Sequence, residues 1–205
     1  MEEIRLIWLA VLTVKKQQEA VLCSLEAADR EKAGRFLREE DRFCSLGGSW
    51  LIRKYVGPSA VIRIGSRGKP LAASGWFNIS HSGGWIGLAL AREPVGLDIQ
   101  QVLLPDPALE AFCLREEEKT LLAGNPASVS FTDLFASKEA LTKAEGSGLP
   151  DDLPSVPALP LDGAVFWQGK TYYRKHIRRG DCAVSLCLQN SDFTLREEEI
   201  DEIRE

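Results

Sequence analysis

The sequence has no apolar run approaching the ~20 residues that a membrane-spanning helix needs, so no span is expected. Residues 4–14 are apolar-rich, but acids precede them and no small-residue cleavage site follows, which argues against a secretory signal. There is no CxxC pair. The five cysteines (Cys23, Cys44, Cys113, Cys182 and Cys187) are odd in number and scattered, which predicts reduced, mostly buried thiols in a cytoplasmic protein and no zinc site. Positive charge is also short: a net charge of −5 argues against a general nucleic-acid binder. The phosphate-loop patterns GxxxxGK[ST] and GxGxxG are absent, which excludes Walker and Rossmann sites. With only two histidines, the chain has no dense acid and histidine cluster of the kind a metal-dependent phosphohydrolase would carry.

What remains is an ordinary globular composition, 44% hydrophobic and 27% charged over 205 residues, enough for one domain or two small halves. Residues 4–9 read as an opening strand. Residues 27–55 carry a helical pattern through Phe36, Leu37, Phe43, Leu46, Trp50 and Leu51, with a kink predicted at Gly47-Gly48. A Gly- and Pro-rich loop follows, to Gly68-Lys69-Pro70. After 76–82, a hairpin is expected from 85–91 and 95–100 around Arg92-Glu93-Pro94. Helices are expected over 108–122 and 131–145, a Pro-rich loop over 150–160, and strands within 165–167, 171–173 and 182–188. The tail, 191–205, reads as an acidic segment, either a short solvated helix or disordered. The helices-then-sheet order occurs twice, and Leu37-Arg38-Glu39-Glu40-Asp41 echoes Leu114-Arg115-Glu116-Glu117-Glu118. Both are compatible with two similar halves, 1–94 and 95–190.

Chemistry concentrates in three segments. Along 95–100, alternation sends Val95, Leu97 and Ile99 to one face and Gly96, Asp98 and Gln100 to the other, with the glycine leaving room for a ligand. An acid leaving so apolar a strand needs a partner, and a hard cation such as Mg²⁺ is a natural one. In Phe135-Ala136-Ser137-Lys138-Glu139, Glu139 stands four residues before Lys143, and Gly146-Ser147-Gly148 is an ordinary helix stop. Read blandly, Glu139 and Lys143 are a surface helix pair. Read with Asp98, they suit holding a divalent cation against a polyphosphate. His81 lies among Asn78, Ser80, Ser82, Gly83 and Gly84, whose amide, hydroxyls and glycines suit an approaching anion.

In this order, Phe77-Asn78-Ile79-Ser80-His81-Ser82, Val95-Gly96-Leu97-Asp98-Ile99 and Ser137-Lys138-Glu139-Ala140 with Lys143 and Gly146-x-Gly148-Leu149 resemble the 4′-phosphopantetheinyl transferases, in the large single-chain class. Gly68-Lys69-Pro70 and Asp41-Arg42 leading to Arg53 fit the same family, and the likeness covers about residues 30–150. It implies an α+β fold of two pseudo-symmetric halves with coenzyme A in the cleft between them. It also implies Mg²⁺-dependent transfer of the phosphopantetheine arm to a serine of an acyl, polyketide or peptidyl carrier protein, releasing adenosine 3′,5′-bisphosphate. By the same resemblance Asp98 and Glu139 are metal ligands, His81 with Ser80 meets a coenzyme A phosphate, and Lys143 steadies the transferring phosphate. Lys138 has a role near the phosphates, and Glu117 is a ligand or base. Arg42 and Lys69, with Arg35, Arg38 or Arg53, would meet the adenosine 3′-phosphate.

Many members carry a second acid two residues after the strand aspartate, and Gln100 stands there; its amide oxygen can ligate a hard cation without adding charge. The motif's usual tryptophan is Phe135. The attacking serine must lose a proton, which Glu139, Glu117 or a metal-bound hydroxide could take. Lys170, Arg174, Lys175, Arg178 and Arg179, with Tyr172 and Tyr173, form the densest basic stretch, either a dock for an acidic carrier or the solvated face of a hairpin. The alternative to an enzyme is a non-catalytic coenzyme A- or carrier-binding protein on the same scaffold. Two halves in one chain make a monomer the expectation, with neither nucleic acid nor membrane as a partner.

Overall fold

Alternation along the first strand sets up the layers. In the computed structural model, which describes residues 2–57, 63–64, 70–71, 75–104, 106–124 and 129–203, β1 (Glu2–Ala10) sends Ile4, Leu6 and Trp8 to one side and Ile7 and Leu9 to the other. Four helices follow: α1 (Val11–Lys16), α2 (Gln18–Ser24), α3 (Ala27–Gly34) and α4 (Glu39–Tyr55). After the two-stranded ribbon of β2 (Arg63–Ile64) and β3 (Pro70–Leu71) come β4 (Trp76–Ser82), β5 (Trp85–Ala91) and β6 (Val95–Gln101). Helices α5 (Pro107–Cys113), α6 (Glu116–Gly124) and α7 (Phe131–Glu145) precede β7 (Gly163–Trp167), β8 (Lys170–Arg179), β9 (Cys182–Leu188) and β10 (Phe193–Ile200).

The strands form two four-stranded sheets, β10-β1-β5-β4 and β6-β9-β8-β7. The result is an α+β fold in four layers. Ile7, Leu9, Ile86 and Leu88 pack under Phe43, Leu46, Trp50 and Leu51 of α4. Leu6, Trp8, Leu97, Ile99, Val184 and Leu186 fill the space between the sheets. Leu134, Ala140, Leu141, Tyr172 and Cys187 fill the space between the second sheet and α7. Among the described residues no helix is long and apolar enough to cross a membrane.

Several local expectations are corrected. Gly47 and Gly48 do not kink a helix: both lie inside α4, and a Cβ on Gly47 would come within 2.5 Å of Ile86, so the glycine lets the helix settle on β5. The hairpin is β4–β5, turning through Gly83 and Gly84 at φ 57° and 78°, the left-handed pair that a two-residue hairpin favours. β5 then pairs with β1 on its other side, and β6 joins β9 in the second sheet. The 108–122 helix is interrupted, with Leu114 extended and buried between α5 and α6. Helices α1 and α2 carry no signal used above.

The acidic tail is also corrected. Residues 193–200 form β10, parallel to β1. Its charges are neutralised from the sheet: Trp8 Nε1 donates to Glu197 at 2.8 Å, Arg5 pairs with Glu198 at 3.1 Å, and Arg179 pairs with Glu199. The basic stretch is likewise dispersed. Arg174 is buried and donates to the carbonyls of Pro157 and Pro160, Tyr172 is buried, and Arg178 pairs with Asp133. Arg179 lies over the rings of Trp8 and Trp85, 4.6 and 4.0 Å from their centroids.

Gly96 has a different job from leaving room for a ligand. A Cβ there would lie 2.0 Å from the carbonyl oxygen of Ala140 and 2.4 Å from the nitrogen of Ala144, so the glycine lets α7 rest directly on β6. Backbone cannot yield as a side-chain tip can. Gly96→Ala should therefore destabilise the protein by at least the roughly 1–3 kcal/mol of an overpacked core, read as a lower urea midpoint.

Candidate active site at the seam between the sheets

The edge strands β4 and β6 belong to different sheets, and side chains of one bond the backbone of the other. Asn78 Oδ1 accepts from the Leu97 N–H at 2.8 Å, Ser80 Oγ from Ile99 at 3.1 Å and Ser82 Oγ from Gln101 at 2.9 Å. The two-residue spacing on both strands makes this possible, since every second side chain of β4 faces every second N–H of β6. The polar run Asn78-Ile79-Ser80-His81-Ser82 is thus mainly a fastening. Its other face carries Ile79 and His81 into a cleft of about 180 Å³ lined also by Lys32, Phe36, Asp41, Ser45 and Ser49.

Ser80 is the hinge between seam and chemistry. While accepting from Ile99 it also donates to Asp98 Oδ1 at 3.1 Å. Its hydroxyl is spent, and it sits buried behind the cleft rather than exposed to a phosphate as expected. Asp98 is buried too, and the same Oδ1 receives Lys143 Nζ at 2.5 Å. Lys143 reaches Glu139 Oε2 as well, at 3.3 Å. One ammonium therefore meets both predicted acids, from strand and from helix. Helical spacing places Glu139 and Lys143 on one face of α7, and the glycine contact brings that face down onto β6.

Electrostatics follow from this burial. Desolvation pushes the Asp98 carboxyl up to about 7, with nearby Glu139 adding to the rise and Lys143 opposing it. Burial pulls the Lys143 ammonium down, but Asp98 and Glu139 together outweigh it and hold the group above the ordinary lysine value. His81 is exposed at the cleft mouth, yet the protein around it still holds the imidazole below its ordinary value; Asp41 opposes that and Lys143 reinforces it.

The remaining predicted residues are not gathered there. Lys138, one residue before Glu139, is fully buried, pairs with Glu118 at 2.8 Å and donates to the Val156 carbonyl at 2.5 Å. Glu117 is exposed and its partner is Arg115, at 3.6 Å. Glu118 is the acid carried inward: besides Lys138 it accepts from the backbone of Ala158 and Arg115, pinning the Pro-rich loop. Sequence reading missed Glu118. The available signal was that it stands last in the echo, opposite Asp41, which lines the His81 cleft. Gln100 is half-buried on the face it shares with Asp98. Arg42 and Arg38 are exposed at the start of α4, Arg35 pairs with Glu31, and Arg53 is clamped by Asp29 and Glu26. Lys69 lies outside the described residues.

The donors present are hard oxygens, Asp98 and Glu139 with the Gln100 amide nearby, and a single positive charge already bridges the two carboxylates. That set fits Mg²⁺ better than a softer ion. Among the described residues no group of three or more acidic, histidine or cysteine ligands occurs.

The seam's bonds differ in burial, and so should their worth. Those of Asn78 and Ser80 are buried and that of Ser82 is exposed. Ser80→Ala leaves the buried Ile99 N–H unsatisfied and Asp98 Oδ1 with Lys143 alone, and should cost about 1–3 kcal/mol in denaturant, whereas Ser82→Ala, where water can replace the hydroxyl, should cost well under half as much.

Comparison with known proteins identifies the family. A profile of the 4′-phosphopantetheinyl transferase superfamily matches residues 94–187, the stretch that holds Asp98, Glu139 and Lys143. The 4′-phosphopantetheinyl transferase Sfp of Bacillus subtilis (strain 168) is 30% identical over 165 residues, 74% of this chain and 74% of the relative. The transferase ffp of Bacillus subtilis is 30% identical over 161 residues, covering 72% and 68%. The transferase psf-1 of Bacillus pumilus is 34% identical over 164 residues, covering 73% and 70%. A strand acid and a helix acid held by one lysine, in a chain this similar to those enzymes along most of its length, lead to one conclusion: it is an enzyme of the 4′-phosphopantetheinyl transferase family.

Proposed function

We propose that this chain moves the 4′-phosphopantetheine arm of coenzyme A to a serine of an acyl, polyketide or peptidyl carrier protein, with Mg²⁺ as cofactor and adenosine 3′,5′-bisphosphate as the second product. We place it in the large single-chain class, with halves at 1–94 and 95–190 acting as a monomer in the cytoplasm. The five free cysteines suit that compartment. The observation that carries the reading is Lys143 held between Asp98 and Glu139, a charge arrangement made for a diphosphate and its counter-ion.

Coenzyme A would lie with its nucleotide end along the cleft of Lys32, Phe36, Ile79 and His81, Arg42 and Lys69 taking its 3′-phosphate, and with its diphosphate toward Asp98. In transfer, the serine oxygen bonds to the phosphorus of the pantetheine phosphate and the bond from that phosphorus to the bridging oxygen breaks. The electron pair leaves with the bisphosphate. Glu139 is the better-placed proton acceptor, because it shares Lys143 with Asp98 while Glu117 is exposed on α6 beside Arg115. Lys143 stabilises charge on the phosphoryl oxygens, the kind of contribution on which such reactions depend. Mg²⁺, when bound by Asp98 and Glu139 with help from Gln100, would offset the diphosphate's charge.

Incubation with coenzyme A, Mg²⁺ and an apo carrier protein, followed by mass spectrometry, should give a carrier heavier by one phosphopantetheine; unmodified carriers across acyl, polyketide and peptidyl types would favour a binding protein instead. Lys143→Ala should lower kcat by on the order of 10²–10³. The pH profile has a defined sign. Burial raises the Asp98 carboxyl, so its anion is lost as pH falls through about 7. kcat/KM should decline on that acid side, and added Mg²⁺ should shift the decline to lower pH, since cation and proton compete for one carboxylate.

A further inference from the structure

Asp98 has two oxygens with different surroundings. Oδ1 takes Ser80 and Lys143, while Oδ2 is buried with no protein hydrogen-bond partner. Directly across the ladder from Asp98 stands Ser185 of β9, and directly across from Ser185 stands His176 of β8. Residues opposite one another in adjacent strands share a face, with Cβ atoms about 5 Å apart. All three lie on the face opposite Leu97, Val184 and Ile177, which pack between the sheets, and so look toward α7. The Ser185 hydroxyl and His176 Nδ1 are also buried without a protein partner.

Helix α7 closes this row from above. At its start Asp133 meets His176 Nε2 at 3.1 Å, and further on Ala140 and Ala144 rest on Gly96. Ser137, four residues after Asp133 on the same helix face, falls between those two contacts, fully buried and with its hydroxyl likewise unpartnered. Ala183, Ser185 and Ser137 are among the small side chains around the row. Four unpartnered polar atoms in one buried row are far from the few per hundred residues that folded proteins tolerate scattered singly. They match what an internal water requires, two to four polar partners in a space closed to solvent.

We propose that Ser185, Ser137 and His176 form a built-in water site whose water donates to Asp98 Oδ2, making Ser185 a positioning residue for the catalytic carboxylate. Oδ1 then stays on Ser80 and Lys143 while Oδ2 is tethered by the water, so the carboxylate cannot swing. The chain of contacts ends on Asp133, which is fixed by Ser130 and Arg178. This rests on the proposed role of Asp98 as a metal ligand only for its functional half; the water site stands or falls alone.

Two measurements test it. A crystal structure of the free protein, at a resolution that shows ordered water, should place one within hydrogen-bonding distance of both Asp98 Oδ2 and Ser185 Oγ; a dry contact, or a Ser185 hydroxyl bonded elsewhere, overturns the proposal. Mn²⁺ affinity by electron paramagnetic resonance should weaken roughly tenfold in Ser185→Ala, as for other residues that orient metal ligands, and recover in Ser185→Thr, which keeps the hydroxyl. Equal affinity in the parent and Ser185→Ala overturns the positioning role. A parent that holds the water but binds no Mn²⁺ would sink the metal reading of Asp98 and leave the water site intact. Should the alanine variant not fold, the parent crystal structure decides the water site by itself.

Discussion

Three hydrogen bonds from the side chains of β4 to the backbone of β6 hold the active site in place. Two twisted sheets that meet edge to edge must satisfy the backbone groups along the join, or bury them at a cost. Here the amide of Asn78 and the hydroxyls of Ser80 and Ser82 substitute for the strand that is not there. A side-chain acceptor holds the two backbones further apart than a ladder would. Alternation along β6 turns Asp98 toward α7 rather than into the apolar space between the sheets. Ser80 joins the two functions, because one oxygen atom both fastens the seam and orients the carboxylate.

The second constraint is how close α7 approaches that seam. Gly96 permits backbone contact, and the helix's periodicity then divides its charged residues between two environments. Glu139 and Lys143, one turn apart, meet each other and Asp98 at the seam. Lys138 is about 100° around the helix and enters the core. There its charge is balanced by Glu118 and by the Val156 carbonyl, a pairing that anchors the Pro-rich loop against the helix. Two lysines of a single motif thus have unlike surroundings, one buried as a brace on the Pro-rich loop and one held between Asp98 and Glu139. Arg115 and Arg174 also bond carbonyls of the same loop.

The parts of this that were legible in the sequence are those carried by period and spacing. Alternation along 95–100 placed Asp98 with Gln100, and the four-residue interval placed Glu139 with Lys143. Both survive because they depend only on local geometry. Pairing was not legible. Residues 85–91 and 95–100 have the look of a hairpin, yet β5 spends both its edges on β4 and β1, and no local signal announces β1 as a competitor. The tail misled for a similar reason: Glu197, Glu198 and Glu199 look solvated until Trp8, Arg5 and Arg179 are seen opposite them. The basic run at 170–179 dissolved because alternate strand residues face different layers. Glu118 escaped because, apart from its place in the echo, it looks like its neighbours Glu116 and Glu117 until the buried ammonium of Lys138 is seen beside it.

Strand β10 also governs the order in which the molecule can be assembled. The first sheet draws β1 from residues 2–10 and β10 from residues 193–200, so a chain leaving the ribosome exposes one side of β1 until residues 193–200 have emerged. Vectorial synthesis would therefore deliver the whole second sheet before the first can be completed. The Trp8 and Trp85 rings, which receive Arg179 only from β8, wait alongside it. Such long-range closure is the slow and aggregation-exposed kind, and places the molecule's kinetic vulnerability in β1, far in sequence from Asp98 and Glu139.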